Sequence, residues 1–190
     1  MVLLSATVID RIVGDPDWLW RRVPHPVAGF GALIAVADRS LNRPEWSDKA
    51  RRVAGVAAIL GLTMLSVFLG LLLSNLFAAW GPVGLGLEAV VASVFLAQKS
   101  LRDHVEAVAR ALRTGGLVAG RRAVSMIVGR DPDQLDEPAV CRAAIESLAE
   151  NASDGVVAPW LALLLFGLPG LLAYKMINTA DSMIGHRSER

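Results

Sequence analysis

Glu146, Glu150 and Asp154 recur at steps of four, with Arg142 one step earlier. On a helix each such step turns the face by only about 40°, so the four form one slowly drifting stripe. Like charges at that spacing repel by roughly a few tenths of a kcal/mol each, so three carboxylates need a compensating cation. Arg142 supplies part of it. A Mg²⁺ ion would supply more, because Mg²⁺ takes one or two carboxylates together with substrate phosphate oxygens. Glu146, Glu150 and Asp154 are therefore candidate metal ligands, with Asn151 beside them. The plainer alternative is a solvated acidic face.

A second polar cluster follows an apolar segment. Asn178, Asp181, Ser182 and Gly185 share one helical face, and Lys175 is the only charge in the apolar run before them. A carboxylate at the edge of an apolar run is costly to hold and points to function. A helix-capping role for Asn178 or Asp181 is the competing reading. A third candidate is the loop containing Gly129, Arg130 and Asp131. There Arg130 offers a planar bidentate donor to an anion, and a surface turn is the alternative. His25, His104 and His186 have no metal-ligand spacing, and no phosphate-binding P-loop, nucleophile elbow or zinc-protease motif is present. Glu88 stands alone in an apolar stretch and reads as a carboxylate that snorkels to the interface. Cys141 is the only cysteine, which excludes an internal disulfide; it reads as a small buried hydrophobe.

These side chains need elements to hold them, and the charge pattern defines those elements. The chain has 190 residues, 54% of them hydrophobic, and a formal net charge of +1. That length suits one domain, and that charge balance argues against a nucleic-acid partner. No charged residue occurs from Val53 to Trp80. As a helix that stretch reaches about 42 Å, against about 30 Å of bilayer hydrocarbon. A second apolar stretch, 82–98, follows Gly81-Pro82. Eight Lys or Arg residues lie between 10 and 52 and eight more between 99 and 142, with none in between. Counted by the positive-inside rule, 53–80 and 82–98 form a transmembrane hairpin with both flanks in the cytoplasm.

The predicted fold is all-α: a polytopic membrane helical bundle with cytoplasmic helices and a broken or re-entrant third apolar segment. Val2–Ile9 begins a short helix that runs through Val13 and breaks at Gly14-Asp15-Pro16. The segment 26–37 is too short to span and lies at the interface or on the bundle. Residues 99–154 are soluble in character. A helix containing Leu101, Val105, Val108 and Leu112 stops at Gly115-Gly116, and a second runs from Leu117 to Val128. A third starts near Asp136, with Asp136 as N-cap and Pro138 in the first turn. The third apolar segment, 155–177, carries Gly167-Leu168-Pro169-Gly170 at its centre. It is either one kinked span or a re-entrant hairpin, and that choice decides whether Asp154 and Asn178 share a side of the membrane.

Several strings together resemble the CobD/CbiB family of cobalamin biosynthesis, the membrane-bound adenosylcobinamide-phosphate synthases. They are Asp10-Arg11 with Gly14-Asp15-Pro16, Pro24-His25-Pro26-Val27, His104-Val105, and 127–131 with Leu135-Asp136-Glu137. The most specific are E-S-x-x-E-N-x-x-D-G, from Glu146 to Gly155, and N-T-x-D-S-M-x-G, from Asn178 to Gly185, with Tyr174-Lys175 just before the latter. The resemblance covers nearly the whole chain and is weakest across 38–97. His186-Arg187 departs from the aromatic-basic pair usual in that family. Its members also continue past the position of Arg190, so the chain reads as C-terminally truncated.

The resemblance implies an ATP-dependent ligase joining a carboxylate of adenosylcobyric acid to the amine of an aminopropanol or its phosphate. Such a carboxylate must be activated, as an acyl phosphate, which asks for ATP, Mg²⁺ and cationic donors. Glu146, Glu150, Asp154 and Asp181 are then the expected catalytic groups. Asn151, Asn178 and Ser182 would orient substrate, and Arg130 and Arg142 would take phosphate. Implied partners are the corrinoid, the aminopropanol phosphate and membrane lipid, with a homo-oligomer or a pathway complex beyond them. The implied location is the cell (inner) membrane, multi-pass, with the motifs on the cytoplasmic side. Broken apolar helices with polar residues also describe a transporter half-site, and a non-catalytic scaffold is a third class.

Overall fold

A computed structural model describes residues 1–128 and 132–185. Among these residues every regular element is helical and no strand occurs. The chain runs α1 (Val2–Ile12), α2 (Asp17–Trp20), α3 (Pro26–Leu41), α4 (Asp48–Ala78), α5 (Gly81–Ser93), α6 (Gln98–Val124), α7 (Glu137–Ala152) and α8 (Ala158–Ile184). A π-helical turn, Ser153–Val157, joins α7 to α8.

Three helical stretches are long and apolar enough to cross a membrane: Asp48–Ala78, Gly81–Val124 and Glu137–Ile184. The first is α4, which at about 1.5 Å per residue is some 46 Å long. Ser47 opens it by accepting the Ala50 N–H. Only Ser66 and Gly70 of α4 are buried, while Leu60, Met64, Phe68 and Leu72 face outward. An apolar helix so exposed has lipid as its natural surroundings.

The return limb is shorter than the 82–98 segment that composition suggested. It ends at Ser93, residues 94–97 turn, and α6 starts at Gln98. The reason is polar. Ala97 donates its N–H to the carbonyl of Gly155 at 3.0 Å, and Gln98 donates its N–H to the Asp10 carboxylate at 2.9 Å. Both bonds take the backbone out of the α5 ladder.

Two glycines turn the remaining long helices back on themselves. Gly116 in α6 and Gly167 in α8 adopt φ/ψ of 64°/−161° and 65°/−159°, a region closed to side chains with a Cβ. In α8 the consequence is decisive. A straight helix would put Asp154 and Asn178 about 36 Å apart, yet their side chains hydrogen-bond at 3.1 Å. The third apolar segment is therefore a hairpin that re-enters at Gly167. Its tip rests on α4, where the missing Cβ of Gly70 makes room for Leu168 and Pro169. Its far end, Ile184, lines one cleft with Arg51 and Gly55 near the start of α4, so the returning limb runs antiparallel to α4.

Two cores result. The larger joins α1, α3, α5 and both limbs of α8 through residues such as Ala6, Ile34, Ala92, Leu96, Leu171 and Met176. The smaller joins α6 to α7 through Val108, Val124, Val140, Ala143 and Ala144. The helix expected from Leu117 ends at Val124, ahead of Val128. Asp136 caps α7 as expected, accepting the Ala139 N–H at 2.8 Å. Cys141 is exposed, contrary to the buried reading, because its neighbour Val140 takes the inward position. Glu88 is half-buried and accepts a hydrogen bond from Ser74 Oγ at 2.7 Å. It is tied to α4 within the hairpin, where composition suggested a free snorkelling carboxylate.

Candidate active site

The π-turn sets the site. A regular helix through residue 154 would keep Arg142, Glu146, Glu150 and Asp154 on one stripe. Arg142, Glu146 and Glu150 do lie exposed along α7. The wider turn at 153–157 rotates Asp154 off that stripe and toward the returning limb of α8. Such π-turns often occur at functional sites. Asn178 donates to Asp154 Oδ2, and the Tyr174 hydroxyl donates to the Asp154 carbonyl at 3.2 Å. One face of α8 thus holds both the side chain and the backbone of residue 154. Asn178 lies inside α8, as does Asp181, so neither caps a helix.

Around this pair lies a polar layer contributed by four elements. Asp10, 2% exposed, ends α1 and accepts from the Gln98 N–H and from Gln98 Nε2 at 3.1 Å. It thereby caps α6 across 88 residues of sequence, where the helix dipole favours an anion. Burial pushes the Asp10 carboxyl above its ordinary value, and the Gln98 donors pull it back. His25 accepts the Val27 N–H at Nδ1, which leaves Nε2 to meet Asp15 Oδ1 at 3.4 Å. Lys175 is half-buried in the same layer, under the electrostatic influence of Asp154, Asp15 and Asp10.

A second cleft, of about 450 Å³, opens between α6 and α7 and is lined by Ser100, His104, Ile127, Val128 and Asn151. Ser147 holds it in shape, donating to the Ile127 carbonyl at 2.7 Å. Asn151 Nδ2 folds back onto Ser147, bonding its carbonyl and its hydroxyl.

The structure therefore joins Asp154 to Asn178 and places Asn151 in the neighbouring cleft. Asp181 and Ser182 are exposed at the end of α8, where Ser182 Oγ donates to the Asn178 carbonyl. Glu146 and Glu150 are on α7, away from the buried face, and Arg130 lies outside the described residues. Among the described residues no three His, Cys, Asp or Glu groups converge to hold a metal ion. A magnesium ion that arrives with a phosphate needs only one or two carboxylates, and the Asp154 carboxylate, pre-positioned by Asn178, fits that smaller demand. Tyr174, Lys175, Asp10 and Gln98 were not singled out as site residues from composition. The signal for Lys175 was there, as the lone charge in the apolar run 155–177, whereas Asp10 has Arg11 directly beside it.

Apolar outward-facing helices, a helical hairpin broken at Gly167 and a polar layer at its base define a helical membrane protein with its polar site built on a broken helix. The family model described as CobD/Cbib protein matches residues 3–190, and the chain belongs to that family. It is similar over its full length to proteins named Cobalamin biosynthesis protein CobD. The identity is 65% over 190 residues to the relative from Sinorhizobium sp, covering 59% of that protein. It is 58% to the relative from Rhizobium meliloti (strain 1021), covering 58% of it, and 47% to one from Rhodobacter capsulatus, covering 59%. The chain thus spans a little under three fifths of the length of these relatives. No solved structure matches.

Proposed function

We propose that the chain is part of a membrane ligase of cobalamin biosynthesis, which forms an amide between adenosylcobyric acid and an aminopropanol or its phosphate at the expense of ATP. The observation that carries this reading is the contact between Asp154 and Asn178. It joins the two most specific family strings at one point and on one side of the re-entrant hairpin. With the basic flanks facing the cytoplasm, that side is where ATP is available. The printed names of the relatives place those proteins in cobalamin biosynthesis, which supports the pathway.

The ligation needs a carboxylate made electrophilic and an amine made neutral. Asp154 would hold the magnesium that accompanies the nucleotide, and that ion would neutralise phosphate charge. Asn178 keeps the Asp154 carboxylate in one orientation. Asp181, one helical turn beyond Asn178, would accept a proton from the incoming ammonium. Glu146, Glu150 and Arg142, exposed on α7, would meet the outer part of the substrates, with Asn151 and Ser182 orienting them. Arg130 would take phosphate. The protein would act in the inner membrane.

A complementation assay tests this. A cell lacking the family enzyme, fed cobyric acid and requiring cobalamin, receives the chain or its Asp154→Asn or Asp181→Asn variant. Rescue by the parent that either substitution abolishes is expected. Rescue that survives both substitutions sinks the catalytic reading and favours a scaffold. Absence of rescue by an inserted parent chain shows that these residues alone do not make the ligase.

A further inference from the structure

Lys175 stands out because its ammonium has no hydrogen-bond acceptor among the described residues. Each carboxylate near it is held through one oxygen by another side chain: Asp154 by Asn178, Asp10 by Gln98 and Asp15 by His25. Among the described residues Lys175 makes no ion pair or side-chain hydrogen bond, although its backbone carbonyl accepts from Thr179 Oγ1. The other two lysines differ. Lys99 pairs with Asp103 at 2.8 Å, and Lys49 is exposed at the start of α4. A half-buried ammonium has three donors to satisfy, and donors left without hydrogen-bond acceptors in such a place are costly even with carboxylates nearby. Lys175 sits within one helical turn of both Tyr174 and Asn178, the two side chains that reach residue 154. Its place is therefore beside the best-organised carboxylate of the site, with the donors left open.

We propose that Lys175 anchors the phosphate group of a substrate at the base of the re-entrant hairpin, beside Asp154. This rests on the reading of the site as a ligase centre. Two sources of that phosphate are chemically equivalent for the lysine: a nucleoside triphosphate or an aminoalkyl phosphate. Lysine suits either one as a compact point charge.

The chain purified in detergent is titrated with inorganic phosphate and followed by phosphorus NMR line broadening. Binding that weakens about tenfold or more in Lys175→Gln, and recovers in Lys175→Arg, is expected; tenfold corresponds to about one charge-assisted hydrogen bond. Equal binding by Lys175→Gln, or none by the parent chain, overturns the proposal. Competition by ATP or by phosphoethanolamine then identifies the source, and displacement by neither also overturns it. A second measurement needs no variant. The chain has only three lysines, so acylation followed by mass spectrometry reads each one separately. Phosphate should slow modification of Lys175 and leave Lys49 and Lys99 unchanged; unchanged rates at all three overturn the proposal. Rescue in the complementation assay without Lys175-dependent binding removes this inference alone. Lys175-dependent binding together with rescue that survives both Asp154→Asn and Asp181→Asn removes the ligase reading and leaves the phosphate site standing.

Discussion

Asp10 shows how much a single residue can carry. Its carboxylate is buried at the end of α1 and reaches across the sequence to the first N–H of α6. Burial favours the protonated form in the folded chain, so the folded carboxyl titrates above the ordinary aspartate value of about 3.8. The sign follows by linkage: ionising Asp10 costs more in the folded state than in the unfolded one. Its contribution to stability is therefore greatest below 3.8 and declines as pH rises through the raised value. Melting temperatures of the parent chain and Asp10→Asn, measured in detergent across that window, should show the parent losing ground as pH rises. A parent that gains on Asp10→Asn as pH rises would contradict the assignment. Composition marked Asp10 only as part of a string. Nothing local says that its partner is Gln98, because that bond is made by two elements meeting.

At the scale of elements, the two glycine turns dominate. Gly116 and Gly167 carry nearly the same backbone conformation, and each lets a helix reverse without a long loop. Gly115-Gly116 was readable as a stop and Gly167-Leu168-Pro169-Gly170 as a break. Whether the second was a kink or a reversal was not readable, because both use the same residues. Gly167→Ala places a Cβ in a left-handed conformation and should destabilise the chain by about 1–3 kcal/mol. Thermal unfolding in detergent checks this, and an unchanged melting temperature would mean that the turn can be made otherwise. The π-turn at 153–157 is the element that sequence spacing misrepresents. A step-of-four stripe assumes a regular helix, and one extra residue per turn takes Asp154 out of it. The stripe Arg142, Glu146 and Glu150 is real, but its fourth member belongs to a different surface.

At the scale of the whole molecule, the re-entrant hairpin predicts topology. Ser153 and Ser182 are both exposed and lie at the two ends of one hairpin whose tip rests on Gly70. With Cys141 replaced by alanine, single cysteines at these two positions should react with an impermeant maleimide from the same side of a sealed vesicle. Reaction from opposite sides would require α8 to span and would break the Asp154–Asn178 contact. The exposed apolar face of α4 makes a membrane the natural solvent for that half of the protein, while the core of α6 and α7 is an ordinary soluble one.

Charge-free length alone was enough to establish that α4 exists and can span, because no other placement of so long an apolar helix avoids exposing it to water. Propensity and capping were enough for the start of α7, where Asp136 and Pro138 act within one turn. The family strings were enough to single out Asp154 and Asn178, since residue type and order are properties of the chain itself. Their meeting, the burial of Asp10 and the open ammonium of Lys175 belong to the tertiary structure. Each depends on segments distant in sequence coming together, as in the contacts of Asp154 with Asn178, 24 residues apart, and of Asp10 with Gln98, 88 residues apart. Such contacts form only when a glycine reverses one helix and a π-turn rotates another, and neither event is set by the local pattern of apolar and polar residues.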